Sequence, residues 1–150
     1  MLGELTAEQI NAVLFDEVVG RIGCHSDGRT YVVPVTYVFD GDAVYAHSAD
    51  GLKIRMMRAN PHVCFQVDQR ENLANWRSVV AWGIYEELHG KEAQDALQLL
   101  VGRLMPLDRS ETVGLPDSLG LASAKVVIDA PKAIVYRIRL GEKTGRFERR

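Results

Sequence analysis

The 150-residue sequence predicts a mainly β chain with α additions, a six-stranded antiparallel barrel interrupted by helices. Three observations carry that expectation. Two hairpin signals, Asp27-Gly28 and Asp40-Gly41, separate three apolar runs within the N-terminal third of the chain, and glycine supplies the positive φ that tight turns need. Further alternating runs recur up to the C-terminal region. Only three short segments repeat apolar residues at helical spacing.

The elements follow in order. Thr6 with Gln9 fits a capping box, and Ile10, Val13 and Leu14 recur behind it, predicting a helix over residues 6–16. Residues 18–25, 31–39 and 43–48 read as three strands of an antiparallel meander. Residues 50–60 read as a helix with Leu52, Met56 and Met57 inward, ended by Pro61. Strands over 62–68 and 77–88 come next. A helix over 91–104 carries Ala93, Ala96, Leu97, Leu100 and Leu104 on one side, with Pro106 as its stop. Residues 105–131 show no period and contain three prolines. Residues 133–140 read as the last strand, with Ile134, Tyr136, Ile138 and Leu140 on one face, and the basic tail beyond reads as solvated.

Composition narrows the classes. The length suits one domain over residues 1–150. A net charge of -2 and a pI near 6.1 give no basic face for nucleic acid. No apolar run approaches the ~20 residues of a membrane span. The acidic first residues lack a signal-peptide pattern, so a cytoplasmic location is expected. Cys24 and Cys64 each sit in an apolar segment and read as reduced core residues. Neither cysteine nor histidine spacing suggests a metal site, and no P-loop or dinucleotide fingerprint occurs.

The second strand points to assembly. Tyr31, Val33, Val35, Tyr37 and Phe39 fill one face, and Val32, Pro34 and Val38 the other. An antiparallel sheet with one solvated face alternates apolar with polar. Two apolar faces therefore need two covers: the barrel core, and either the chain's own helices or a partner subunit. A homodimer is the economical expectation.

Five ordered pieces carry a family resemblance: Gly20-Arg21-Ile22-Gly23; Tyr31 to Tyr37, reading YVVPVTY; Val44 to Ser48, leading to Gly51-Leu52-Lys53; Asn60-Pro61-His62-Val63-Cys64-Phe65; and Trp76 to Gly83, reading WRSVVAWG. Tyr136 to Arg139 and Thr144-Gly145-Arg146 complete the set. In order and spacing this resembles the pyridoxamine 5′-phosphate oxidase-like superfamily of FMN-binding split barrels, closest to the branch with nitroimidazole-resistance proteins. The resemblance implies a Greek-key barrel that dimerises and binds FMN between subunits. It implies that Val33, Pro34, Val35 and Thr36 lie along the isoalloxazine ring. Ala46, His47, Ser48 and Lys53 would approach the ribityl-phosphate end, as would Ser78. The vitamin-B6 oxidases carry cations where this chain has Tyr31, Thr36 and Leu52, which argues against that oxidase activity. It also keeps deazaflavin or haem open as alternative cofactors.

The same residues fit the needs of a flavin. Ser48 to Lys53 joins a strand to a helix, where free N–H groups and the helix dipole attract anions; the alternative is that Asp50 simply caps the helix. Pro34 marks a strand edge or bulge with neighbouring backbone groups free. His47 is the candidate catalytic residue, able to hold an anion or move a proton near neutral pH. Trp76 and Trp82 straddle Ser78, and either ring could stack on a ligand or serve as packing. The expected activity is an FMN-dependent oxidoreductase of a small organic acceptor, a nitro-compound or quinone; a non-catalytic flavin sensor or carrier is the rival.

Overall fold

The computed structural model describes residues 1–108 and 133–150. Eight strands and three helices run in the order β1 (Leu2–Glu4), α1 (Ala7–Asp16), β2 (Val19–Ser26), β3 (Arg29–Thr36), β4 (Val38–Phe39), β5 (Ala43–Ser48), α2 (Leu52–Ala59), β6 (His62–Asn72), β7 (Asn75–Leu88), α3 (Gly90–Asp108) and β8 (Ile134–Glu148). All strand pairs are antiparallel, in the spatial order β3-β2-β6-β7-β8-β5-β4, with β1 beside β8. Among the described residues no ladder joins the two ends of this path, so the sheet is not closed. Those ends, β3 and β4, are nonetheless consecutive in the chain with only Tyr37 between them.

Tyr37 is the reason the expected second strand is two. Its N–H bonds the Val18 carbonyl at 2.9 Å, and its fully buried ring meets Phe65 edge-on at 4.8 Å. Its hydroxyl donates to the Leu14 carbonyl at 2.8 Å. Leu14 lies in the last turn of α1, where carbonyls lack intrahelical partners; Tyr37 thus ties the strand break to the helix end.

The capping box of α1 forms as expected: Thr6 Oγ1 accepts from the Gln9 N–H, and Gln9 Oε1 from the Thr6 N–H. Ile10, Val13 and Leu14 go into the barrel core with Ile22, Ile54, Met57, Phe65, Val67, Val79, Tyr136 and Ile138. Burying each large aliphatic side chain stabilises by about 1.5–3 kcal/mol. Gly20 makes room for Phe65: a Cβ there would stand 2.3 Å from the ring. A second cluster forms where Ala96, Leu97, Leu100 and Leu104 of α3 cover Leu88 and Val135.

The departures have local causes. Eight strands stand where six were expected, because Tyr37 divides one and Leu2–Glu4 adds another. β6 and β7 extend to a hairpin tip at Leu73-Ala74. The basic tail is not solvated coil but the second half of β8, paired with β7 and β1. Gly145 and Phe147 face the core there, and a Cβ on Gly145 would meet Ile10 and Leu5 at 2.8 Å. Pro106 does not stop α3, which continues to Asp108; Pro needs no bond to the Gly102 carbonyl, and Gly102 has open space around it. The expected structureless segment 105–131 lies outside the described residues from 109 onward. Cys64 is half-buried on the outer sheet face rather than in the core; both cysteines are free, and Cys24 is buried.

Candidate functional site

The corner between β5 and α2 is built by a short connection after Ser48. Gly51 is the N-cap of α2 and offers no side-chain bond, so the first N–H groups of the helix have no capping partner. Asp50 does not cap the helix; its carboxylate lies 3.4 Å from Arg58. Lys53, in the first turn, donates from Nζ to Ser48 Oγ at 2.6 Å. Among the described residues no carboxylate lies within ion-pairing distance of Lys53. Burial pushes its amine below the ordinary lysine range, against a smaller opposing effect of Cys24. His47 is held below its ordinary value by burial first and by the Lys53 charge second. A half-buried cation beside uncapped N–H groups has the chemistry to receive an anion.

Ala46 is buried opposite Tyr136 in the β5–β8 ladder. Among the described residues the buried Tyr136 hydroxyl has no hydrogen-bond partner, and burial pushes its pKa well above the usual phenol range. Neither Tyr136 nor Cys24, which the Lys53 charge also reaches, stands out in the sequence, since both read as core residues.

β3 is an end strand, as Pro34 predicts, so one backbone edge is unpaired. Val33 and Val35 lean on the core; Pro34 is exposed. Thr36 Oγ1 is buried with no hydrogen-bond partner, a cost of about 1–3 kcal/mol unless something answers it.

Ser78 and Trp76 stand elsewhere. Ser78 Oγ accepts from Gln66 Nε2 at 3.2 Å, in a network in which Asp68 takes bonds from Gln66 and Arg21. Trp76 donates from Nε1 to Glu148 at 3.2 Å. Gln66, Asp68, Arg70, Leu73, Trp76 and Ser78 line a cleft of about 360 Å³ at the β6–β7 hairpin. Cys24 follows Gly23, whose row runs through Cys64 to Trp82, and Ser78 lies four residues back from Trp82, roughly 13 Å along the strand. Cys24 points inward and the Ser78 network outward. Ser48, His47 and Lys53 share the β5–α2 corner, whereas Ser78 and Trp76 line a different cleft, at the β6–β7 hairpin. Arg21, Gln66 and Asp68 escaped the sequence reading; their only signal is that Gln66 and Asp68 alternate with buried Phe65 and Val67 on one strand.

The outer sheet face remains open. Val32 is 63% exposed, Trp82 46% and Ile84 39%. They border a cleft of about 660 Å³ floored by Gly23 and Cys64. Trp82 points out by ordinary alternation with buried Ala81, opposite a register shift whose extra residue lies on β8. Among the described residues, the helices leave this face uncovered. His25 and His62 are exposed on its rim, and His89 is exposed at a strand end, in line with the reading of all three as surface residues.

Fold and corner together define a class: a mainly β, incompletely closed barrel with an anion-receptive strand–helix junction. The family described as pyridoxamine 5′-phosphate oxidase matches residues 6–146, and the chain belongs to it. Among solved structures, a FAD-binding protein of Mesorhizobium loti shares 31% identity, covers 98% of each chain and superposes with a TM-score of 0.73. A FAD-binding protein of Mycobacterium smegmatis (17% identity, 99% and 100% coverage, TM-score 0.62) shares the fold. So does a proposed 5-nitroimidazole antibiotic resistance protein of Bacteroides thetaiotaomicron (18% identity, 98% and 87% coverage, TM-score 0.69). An uncharacterized protein of Rhizobium meliloti is 36% identical over 84 residues, and the match spans 56% of its length. The resemblance read from the sequence therefore holds. No described helix is long and apolar enough to cross a membrane.

Proposed function

We propose that this protein binds a flavin, FMN in its simplest form, at the β5–α2 corner and acts as an oxidoreductase on a small organic acceptor, a nitro-compound or a quinone. The observation that carries the reading is Lys53, half-buried, hydrogen-bonded to Ser48, and free of any carboxylate partner among the described residues. The phosphate dianion fits there: Lys53, Ser48 and the first N–H groups of α2 would hold it. Val33 to Thr36, on the free edge of β3, would hydrogen-bond the ring edge, and the orphaned Thr36 hydroxyl is the natural donor. A bound flavin supplies two-electron redox chemistry. His47, kept neutral at pH 7 by burial and by Lys53, would serve as a proton acceptor or substrate contact beside it.

The same geometry supports a homodimer. Ser78 and Trp76 line a separate cleft at the β6–β7 hairpin, so a part for them in the cofactor site would call on a partner copy, seated on the open face around Trp82. This gives a split-barrel dimer with the cofactor between subunits. The proposed setting is the cytoplasm, with no nucleic-acid or membrane partner. Two neighbours described as FAD-binding support a flavin over haem or deazaflavin.

The test is the visible spectrum of the purified protein and its titration with FMN. Micromolar binding with a flavin spectrum is expected; a colourless protein indifferent to FMN would overturn the reading. Stopped-flow mixing with NADH and NADPH then separates an oxidoreductase from a carrier, since a carrier's flavin stays oxidised.

A further inference from the structure

The outer sheet face carries a polar strip at the β6–β7 hairpin, apart from the Lys53 corner. The ladders set Arg21 opposite Gln66, Asp68 opposite Ser78 and Arg70 opposite Trp76. Phe65, Val67 and Val79, which alternate with them, are fully buried, so the strip points outward. A chain of hydrogen bonds runs along it. Arg21 Nη1 donates to Asp68 Oδ1 at 3.0 Å and to Gln66 Oε1 at 3.3 Å. Gln66 Nε2 donates to Asp68 Oδ1 at 3.3 Å and to Ser78 Oγ at 3.2 Å.

These bonds fix a polarity. A guanidinium donates and a carboxylate accepts, so the Gln66 amide turns its oxygen to Arg21 and its nitrogen to Asp68. The reverse orientation would set an NH2 group against the guanidinium and a carbonyl against the carboxylate. An amide nitrogen does not accept, so Ser78 Oγ is the acceptor in its bond to Gln66. The proton of the Ser78 hydroxyl is then left over, and among the described residues nothing takes it. Ser78 lines the cleft of about 360 Å³ at the hairpin, so the free donor belongs to that cleft.

The rest of the lining defines the ligand. Asp68 is matched by Arg21. Arg70 has no carboxylate within ion-pairing distance among the described residues. The cleft therefore has positive charge in excess and favours an electron-rich oxygen. Trp76, held at Nε1 by Glu148, and Leu73 add apolar surface. The volume lies near the lower end of small-molecule sites, which suits a compact ring rather than a nucleotide.

We propose that the β6–β7 cleft binds a small planar ring through an oxygen acceptor at the ring's edge, with Ser78 as the donor, and that Gln66 is the positioning residue that turns the Ser78 hydroxyl toward it. A quinone answers this description, and naming it rests on the acceptor class proposed above; the cleft itself stands on its own contacts. Binding here forms and breaks no covalent bond.

The probe is duroquinone, a neutral quinone whose ring carbons are all methylated and so closed to addition of a cysteine thiol. It is titrated into flavin-free protein above neutral pH and followed by quenching of tryptophan fluorescence. Saturable binding is expected. Ser78→Ala should weaken it by about tenfold, near the upper value of one neutral hydrogen bond. Gln66→Glu keeps the shape, but its carboxylate only accepts, so it draws the Ser78 proton to itself and should cost as much. The two changes combined should weaken binding no further than either alone, because both remove the same donor. Gln66→Met adds no charge and should cost less than Gln66→Glu. Both positions lie outside the core, so the variants should fold, which near-ultraviolet circular dichroism checks. No saturable binding, or unchanged affinity in Ser78→Ala, would overturn the site. Unchanged affinity in Gln66→Glu, or losses that add in the double variant, would overturn the positioning role. A protein that binds FMN but not duroquinone would lose the cleft and keep the flavin reading; one that binds duroquinone but no flavin would do the reverse.

Discussion

Lys53 Nζ lies 2.6 Å from Ser48 Oγ, across the turn that joins β5 to α2. A hydroxyl is a weak counterpart for an ammonium group, and one bond leaves two of its three donors free. Free donors on a half-buried ammonium suit the flavin phosphate proposed above, and from that follows the first prediction. Lys53→Ala should weaken FMN binding by roughly 1.5–3 kcal/mol, the value of a charge-assisted bond, as read by isothermal titration. Lys53→Arg should recover part of it. Unchanged affinity would remove Lys53 from the site.

His47 makes stability depend on pH. Its folded value lies below the ordinary 6.5, so between the two values the unfolded chain binds more protons than the folded one. Stability then rises with pH through this window and is lost as pH falls below about 6.5 toward the folded value. The urea midpoint should drop between pH 7.5 and 5.5, and His47→Gln should flatten that drop. The carboxylates Asp40, Glu86 and Glu87, all held low by their partners, act at more acid pH. An identical slope in the variant would show that His47 does not titrate there.

Tyr37→Phe removes the hydroxyl that satisfies the Leu14 carbonyl but keeps the ring on Phe65. A buried acceptor left unmade costs about 1–3 kcal/mol, so the midpoint of chemical unfolding should fall with the m-value unchanged. No loss would mean that water replaces the bond at the end of α1.

Trp82 is 46% exposed on an apolar face that a partner copy is proposed to cover. Trp82→Glu should give a folded monomer by light scattering, since the side chain lies outside the core, and should lower flavin affinity by removing Ser78 of the second copy. A parent that is already monomeric would end the dimer proposal.

Much of the fold was legible because it rests on local chemistry. The Thr6–Gln9 capping box, the two Asp-Gly turns and the alternation along β8 each act within a few residues, and all three stand in the structure. Other features were not legible. Nothing local distinguishes Tyr37 from its neighbours in an apolar run; it breaks the strand because Leu14, 23 residues away, offers its hydroxyl a partner. The charged run from Glu142 to Glu148 reads as a tail because only Gly145 and Phe147 betray an inward face. The space they fill is defined by Leu5 and Ile10 from the other end of the chain.

The candidate site divides in the same way. The sequence by itself determined which residues could serve an anion at a strand–helix junction: a glycine, a serine and a lysine within six positions, where hydrogen-bonding groups and charge are set by residue type. Only the tertiary structure decided that Lys53 has no acidic partner among the described residues, that Asp50 turns to Arg58 instead of capping α2, and that Ser78 belongs to another face. Those are questions of which distant groups meet, and pairing across a sheet is decided by the packing of the whole core rather than by any stretch of chain within it.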